Sequence, residues 1–263
     1  MNSDQSQRGQ SIYGRYWDHY VERWGKTHQP DSEYQWPGDE WGSERGWEGL
    51  FQGLFVPAGV KDWRRAVEIG QGSGKYTAKV LANSQAIVRA YDVSPRFLEV
   101  CKERCQEWIK GGRLSLHLLS TDRPDRMLSD LSACGWRRTV DGFYSIDSMV
   151  HVDLQYLIVY LITAGMTLKP GGKLTLTLAD VTREPGFMKL LKDITWTFPA
   201  QGSPLGSGKF EWLSPDIVES IFPRLGFRLD SLINTQRDLR LVASLVDPSA
   251  AEDLGKYIVP TAK

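Results

Sequence analysis

The chain has 263 residues, 41% of them apolar and 24% charged, enough for one large domain or a medium one with a substantial appendage. Lys plus Arg and Asp plus Glu each number 32, so the formal net charge is zero. That balance argues against a duplex-binding protein, which needs an excess of cations to displace counterions from phosphates. No stretch approaches the apolar length of a membrane span, and the opening residues lack the apolar core of a secretory signal. Cys101, Cys105 and Cys134 form no CxxC pair and the four histidines are scattered, so no zinc-ligand spacing exists and no metal is expected. A reducing cytoplasm is the expected compartment. Ten tryptophans stand out, because Trp17, Trp24, Trp36, Trp41 and Trp47 all fall within the first 50 residues.

Residues 1–55 read as an aromatic-rich extension. Tyr13, Trp17, Tyr20 and Trp24 recur at spacings of four, three and four, an aromatic stripe for one short helix. The pattern breaks into loop around Pro30, Pro37 and Gly38. From there strand and helix alternate. Residues 65–69 form a short buried strand ending in Gly70-Gln71-Gly72-Ser73-Gly74, with a helix from about Lys75. Residues 86–92 form the second strand, and Ser94-Pro95 caps a helix carrying Phe97, Leu98, Cys101, Cys105, Trp108 and Ile109 on one side. Residues 114–119 and 142–146 are the third and fourth strands. Asp153 caps a long helix that ends at Lys169-Pro170-Gly171-Gly172, before a fifth strand over 173–179. A helix from Ser214-Pro215 follows, then two strands, 227–234 and 239–246, too close together for a crossover and therefore antiparallel.

The expected architecture is an α/β, Rossmann-like, seven-stranded and mostly parallel sheet with a C-terminal antiparallel hairpin and helices on both faces. The main domain spans 56–250, residues 180–213 form an insertion over one end of the sheet, and 251–263 form a tail.

The glycine loop fits neither common phosphate-binding pattern. A P-loop needs GxxxxGK and then Ser or Thr, but Gly70 precedes Gly74-Lys75 by one residue too few and Tyr76 takes the hydroxyl position. A dinucleotide fingerprint needs a third glycine where Lys75 stands. What remains is Glu68, one apolar residue and GxGxG at a strand-to-helix turn, with Asp92 ending the second strand 24 residues on. Joined to Leu168-Lys169-Pro170-Gly171-Gly172 and the terminal hairpin, this resembles class I S-adenosylmethionine-dependent methyltransferases over residues 65–246. The physics agrees, since that cofactor has no phosphate to cradle but carries positive groups and a ribose diol, suited by close backbone approach and carboxylates.

The resemblance implies S-adenosyl-L-methionine as cofactor, held by Glu68, Gly70, Gln71, Gly72, Gly74, Asp92 and Ser145. It also implies an adenine contact from Ser120, Thr121 or Asp122, of which Asp122 is taken forward. A hydroxyl acceptor needs a base. His151 follows the fourth strand and suits that task, with Asp147 to orient it; His19 and His28 are rival bases, and His117 reads as a strand-surface residue.

Gly38-Asp39-Glu40-Trp41-Gly42, together with the segment from Tyr144 to Asp153, is similar to methyltransferases of bacterial sugar and polysaccharide pathways. Trp24, Trp36 and Trp41 are then candidate acceptor-binding faces for a small-molecule or glycan acceptor, or else a lid packed on the core. Nucleic acid is disfavoured as substrate by the charge balance, by the nine acidic against five basic residues over 1–60, and by the absence of an Asn/Asp-Pro-Pro-aromatic tetrapeptide. A small-molecule N-methyltransferase and a non-catalytic cofactor- or partner-binding module are the alternatives.

Overall fold

The computed structural model describes residues 12–28, 32–119, 123, 125–197 and 210–258. The chain opens with α1 (Ile12–Thr27), a 3-10 turn at Asp39–Trp41 and α2 (Glu44–Leu54). Then come β1 (Arg65–Ile69), α3 (Lys75–Ala82), β2 (Ile87–Asp92), α4 (Pro95–Arg104), α5 (Gln106–Lys110) and β3 (Leu114–Leu118). They are followed by α6 (Asp125–Ala133), β4 (Val140–Ser145), α7 (Leu154–Thr167), β5 (Leu168–Asp180) and α8 (Glu184–Thr197). The chain closes with β6 (Trp212–Leu213), α9 (Pro215–Arg224), β7 (Phe227–Asn234), β8 (Asp238–Leu245) and α10 (Pro248–Gly255).

The strands form one sheet in the order β3-β2-β1-β4-β5-β8-β7. The strands from β1 to β5 run parallel, while β8 is antiparallel to both β5 and β7. The seven expected strands are all present. An eighth, the two-residue β6, pairs with Ala179 and Asp180 at the tip of β5, beyond Leu176, where β4 stops pairing. Two residues are too short a run to show a strand period in sequence.

Helix starts follow the local capping chemistry. The Ser94 hydroxyl accepts the Phe97 N–H at 3.1 Å and Asp153 accepts the Tyr156 N–H at 3.1 Å. The single helix expected through Cys105 and Trp108 is divided at Cys105 into α4 and α5. Inside the insertion, α8 was not anticipated. Its Phe187, Met188, Leu191 and Ile194 recur at helical spacing, and in the fold they are exposed. The boundary expected between domain and tail falls inside α10, whose Ala251 is fully buried in the core. Among the described residues, no helix is long and apolar enough to cross a membrane.

Strand alternation divides the core by sheet face. Val67, Ile69, Phe143, Leu157 and Leu161 share one cluster, while Ala66, Val88, Tyr144, Val80 and Cys101 share the other. In β1 the period of two therefore sends Val67 and Ile69 to the first face, and Ala66 with Glu68 to the second. Beyond β1 the chain leads outward to β2 and β3, then crosses to β4 on the other side. The strand ends part at that reversal, which is where open α/β sheets bind ligands.

Candidate active site

A cavity of about 300 Å³ opens over the C-terminal ends of β1, β2 and β4, at the lower end of the size range of small-molecule sites, about 300–1,000 Å³. Its floor is the glycine loop. Gly70, Gly72 and Gly74 adopt φ of 67°, 53° and 85°, a left-handed backbone that disfavours side chains. At Gly70 the constraint is also steric, because a Cβ there would stand 1.8 Å from Ser148 Oγ and 2.4 Å from Ser148 Cβ.

Gly70, Gln71, Gly72 and Asp92 line the cavity together. The buried Asp92 carboxylate accepts the N–H of Gly72 at 3.0 Å and of Ser94 at 2.9 Å. Burial raises its pKa to about 6. The Gln71 side chain is 5% exposed, and neither its amide oxygen nor its nitrogen has a partner among the described residues. A buried amide left unsatisfied costs about 1–3 kcal/mol, and this wall offers a polar ligand both a donor and an acceptor. The Tyr76 hydroxyl, also lining the cavity, is likewise buried and unpartnered.

Three expected cofactor residues do not line it. Glu68 points to the opposite sheet face by strand alternation, where its Oε2 accepts Thr77 Oγ1 at 2.6 Å and the Tyr144 hydroxyl at 3.0 Å. Burial first, and the Asp92 charge to a lesser degree, lift its pKa from 4.5 to about 8. Gly74 lies behind the loop, where a Cβ would meet Cys101 Sγ at 2.7 Å. Ser145 is fully buried and donates to Ile69 O at 2.8 Å, tying β4 to β1. Ser120, Thr121 and Asp122 lie outside the described residues.

Glu68 carries a stability prediction. Its folded pKa is raised, so between about 4.5 and 8 the folded state holds a proton that the unfolded chain has lost. Stability should therefore fall as pH rises through that window. Glu68→Gln, neutral at every pH and still an acceptor, is expected to flatten the slope, whereas Glu68→Ala should cost about 1–3 kcal/mol by stranding two buried hydroxyls. Urea denaturation at several pH values checks this; equal slopes for wild type and Glu68→Gln would refute it.

From the β4 side, Ile146, Asp147, Ser148 and His151 enter the cavity. Asp147 has φ of 57° and donates its N–H to Thr177 Oγ1 at 2.7 Å. A left-handed non-glycine residue held in this way is a form of strain found at functional sites. Asp147 is exposed at the cavity wall. Desolvation by the surrounding protein first, and then Asp238, push its pKa up, while Arg237, Lys75 and Arg240 oppose the shift. The His151 ring meets Trp17 and Phe210 edge-on, at centroid distances of 5.2 and 5.1 Å. Glu211 donates its N–H to Val150 O at 2.7 Å, so the segment leading into β6 brings Phe210 there. Among the described residues Asp147 makes no hydrogen bond to His151, so the expected orienting pair is not formed.

Of the three expected tryptophans only Trp41, 51% exposed, lines the cavity. Trp24 stacks on His28 at 4.0 Å and Trp36 lies under Arg104 at 6.0 Å, both outside it. Trp17, part of the aromatic-rich extension but not one of the three acceptor-binding candidates, lines the cavity as well. Asp18 on α1 accepts Ser94 Oγ at 2.6 Å and the Arg96 N–H at 3.1 Å, which docks α1 on the start of α4 and sets Trp17 5.9 Å from Trp41 and 6.2 Å from Phe97. His19 and His28 do not reach the cavity, and His117 stacks on Tyr91 at 4.9 Å on the sheet. Tyr156 and Tyr160 of α7 complete an aromatic wall. No group of three His, Cys, Asp or Glu side chains able to hold a metal occurs among the described residues.

No family model matches the chain, and no curated protein does. Solved structures do. Magnesium protoporphyrin IX methyltransferase from Synechocystis PCC 6803, with bound S-adenosylhomocysteine, aligns over 89% of this chain and 98% of its own, at 15% identity and a TM-score of 0.61. The chain has the fold of class I S-adenosylmethionine-dependent methyltransferases. Geranyl diphosphate C-methyltransferase from Streptomyces coelicolor A3(2) aligns over 89% of this chain and 96% of its own, at 12% identity and a TM-score of 0.60. An O-methyltransferase family protein from Burkholderia thailandensis aligns over 74% of this chain and 56% of its own, at 16% identity and a TM-score of 0.53. The methyltransferases with this fold are thus diverse in substrate and in the atom methylated, and they lend no support to the sugar-pathway likeness expected from the sequence.

Proposed function

We propose that the protein transfers a methyl group from S-adenosylmethionine to a small acceptor bound in this cavity. The observation that carries the reading is the joint presence, in one cavity, of the loop backbone at Gly70 and Gly72, the unpartnered Gln71 amide, the Asp92 carboxylate and, opposite them, His151. The cofactor supplies a methyl on a positively charged sulfur, activated for in-line displacement. Asp92 would accept the ribose hydroxyls, Gln71 would satisfy its amide on the cofactor's polar groups, and Trp17, Trp41 and Phe97 give ring faces suited to a cation.

A hydroxyl acceptor is the favoured class. His151 stands at the cavity wall with its ring set by Trp17 and Phe210, fit to take the acceptor proton as the new bond forms. Trp17 and Trp41 offer faces for a ring-shaped acceptor, and a sugar remains one member of that class. An amine acceptor is the second reading. It is favoured by three lining carboxylates, Asp92, Asp147 and Asp153, against Lys75, which is already paired with Asp39.

Calorimetry with S-adenosylmethionine is the first test, and no heat at high protein concentration would remove the cofactor reading. Formation of S-adenosylhomocysteine across hydroxyl and amine acceptors then separates the two classes. Cofactor binding without turnover on any acceptor would leave a binding module. A pH test bears on Asp92. Its carboxylate protonates below about 6, so affinity for cofactor should weaken about tenfold from pH 7 to pH 5, following the ionised fraction of a group with that pKa. Asp92→Asn should bind weakly with little pH dependence, and an unchanged pH profile in that variant would exclude Asp92 as the titrating group.

A further inference from the structure

Lys75, the residue at which the loop departs from the dinucleotide pattern, makes its contacts with the N-terminal segment. It begins α3, and its Nζ donates to Gly38 O at 2.9 Å, lies 3.1 Å from the ring centroid of Trp47 and stands 3.6 Å from Asp39 Oδ1. Asp39 is 8% exposed. Its Oδ1 also accepts Arg104 Nη1 of α4 at 3.0 Å, and the same Nη1 donates to Ser73 Oγ of the loop at 3.3 Å. One buried carboxylate from the N-terminal turn is therefore shared by two cations, one at each flank of the glycine loop. Pro37, Gly38 and Trp41, the residues around that carboxylate, form a wall of the cavity.

An ion cluster this enclosed is not a surface pair of marginal value. Removing the shared carboxylate would strand two cations in a poorly solvated place. The turn also has its own support, since Gly38 donates its N–H to Glu40 Oε2 at 2.9 Å and Glu40 accepts the Tyr20 hydroxyl. Asp39 is thus spared for the loop, and the turn does not need it for its own shape.

We propose that Asp39 is a positioning residue for cofactor capture, locking the wall formed by Pro37, Gly38 and Trp41 onto the glycine loop through Lys75 and Arg104. The proposal rests on the cofactor reading for its ligand but not for the lock itself. It also accounts for the GDEWG segment: Asp39 ties the wall to the loop, Glu40 holds the turn, and Trp41 faces the cavity.

The test uses S-adenosylhomocysteine as probe, with wild type, Asp39→Asn and Asp39→Glu. In calorimetry Asp39→Asn should lose at least about tenfold in affinity, because a broken buried pair strands its cations, and Asp39→Glu should recover part of the loss. Wild-type affinity should fall as pH rises through about 8, where the half-buried Lys75 loses its proton. The charged groups facing that ammonium are Asp39 from the turn, Arg104 from α4 and Asp147 beyond β4. In Asp39→Asn the fall should move to lower pH, which a purely structural loss would not produce. Trypsin, cutting after the exposed Arg23 and Lys26, should act faster on Asp39→Asn than on wild type even without ligand, with the thermal transition of the core retained. Affinity within twofold of wild type, or equal tryptic rates, would overturn the proposal. If wild type itself gives no heat, the cofactor reading fails, and the ligand-free tryptic rates still decide the lock.

Discussion

Gly70→Ala should abolish measurable binding of S-adenosylhomocysteine while leaving a folded, less stable protein. The reason is geometric. A Cβ at this position would stand 1.8 Å from Ser148 Oγ and 2.4 Å from Ser148 Cβ, on a backbone with φ of 67°. Turning the serine rotamer cannot relieve the second contact, so the β4 end carrying Asp147 and Ser148 must move away from the loop. Overpacking costs about 1–3 kcal/mol and the left-handed backbone about 1–2 kcal/mol more. The displacement also disturbs both walls of the cavity at the point where the methyl donor would lie. Gly72→Ala provides the comparison for stability, since its Cβ would meet Phe97 only at 3.9 Å within the protein and the fold bears only the backbone cost, so its binding loss should be the smaller of the two. Calorimetry and thermal denaturation of the two variants check the contrast. Binding by Gly70→Ala within threefold of wild type would refute it.

For His151→Ala the expected result is a fall in turnover of about 10²–10⁴-fold, the usual worth of a positioned base, with affinity for S-adenosylhomocysteine within about threefold of wild type. The ring lies between Trp17 and Phe210, so its loss leaves a gap in an aromatic wall but takes nothing from the loop or Asp92. Equal losses in turnover and cofactor affinity would reassign His151 to binding. Retained turnover would favour an amine acceptor that arrives neutral, or proton removal by another group. Asp147→Asn adds a second comparison. No hydrogen bond joins Asp147 to His151 among the described residues, so this change should leave the acid limb of the pH–rate profile in place if His151 is the base.

The parts of the site legible in sequence are those set by neighbours in the chain. Strand β1 was located to the residue, and Gly70, Gly72 and Asp92 reached the cavity because a strand-to-helix turn and a strand end are local events. Where expected residues do not line the cavity, a longer-range or finer rule applies. Glu68 sits next to the loop in sequence, but the two-residue period of a strand turns it to the opposite face, where Thr77 and Tyr144 take its carboxyl. That direction is written in the alternation of β1, where Glu68 shares a face with Ala66. Ser145 likewise stays out of the cavity, its hydroxyl joining β4 to β1.

Composition and short-range pattern alone determined the α/β class, the parallel sheet with its antiparallel hairpin, most helix starts and the glycine loop. These follow from hydrophobic period, capping and turn chemistry, which act over a few residues. The tertiary structure decided which of the early tryptophans reach the cavity. Trp17 and Trp24 lie on one helix, yet Asp18 docks α1 on the start of α4 so that Trp17 enters the cavity and Trp24 stacks on His28. It also decided that Lys75 and Arg104 meet Asp39 across 36 and 65 positions of chain. Charges so distant in sequence are brought together only by the packing of α3 and α4 against the N-terminal turn, and no local pattern records that packing.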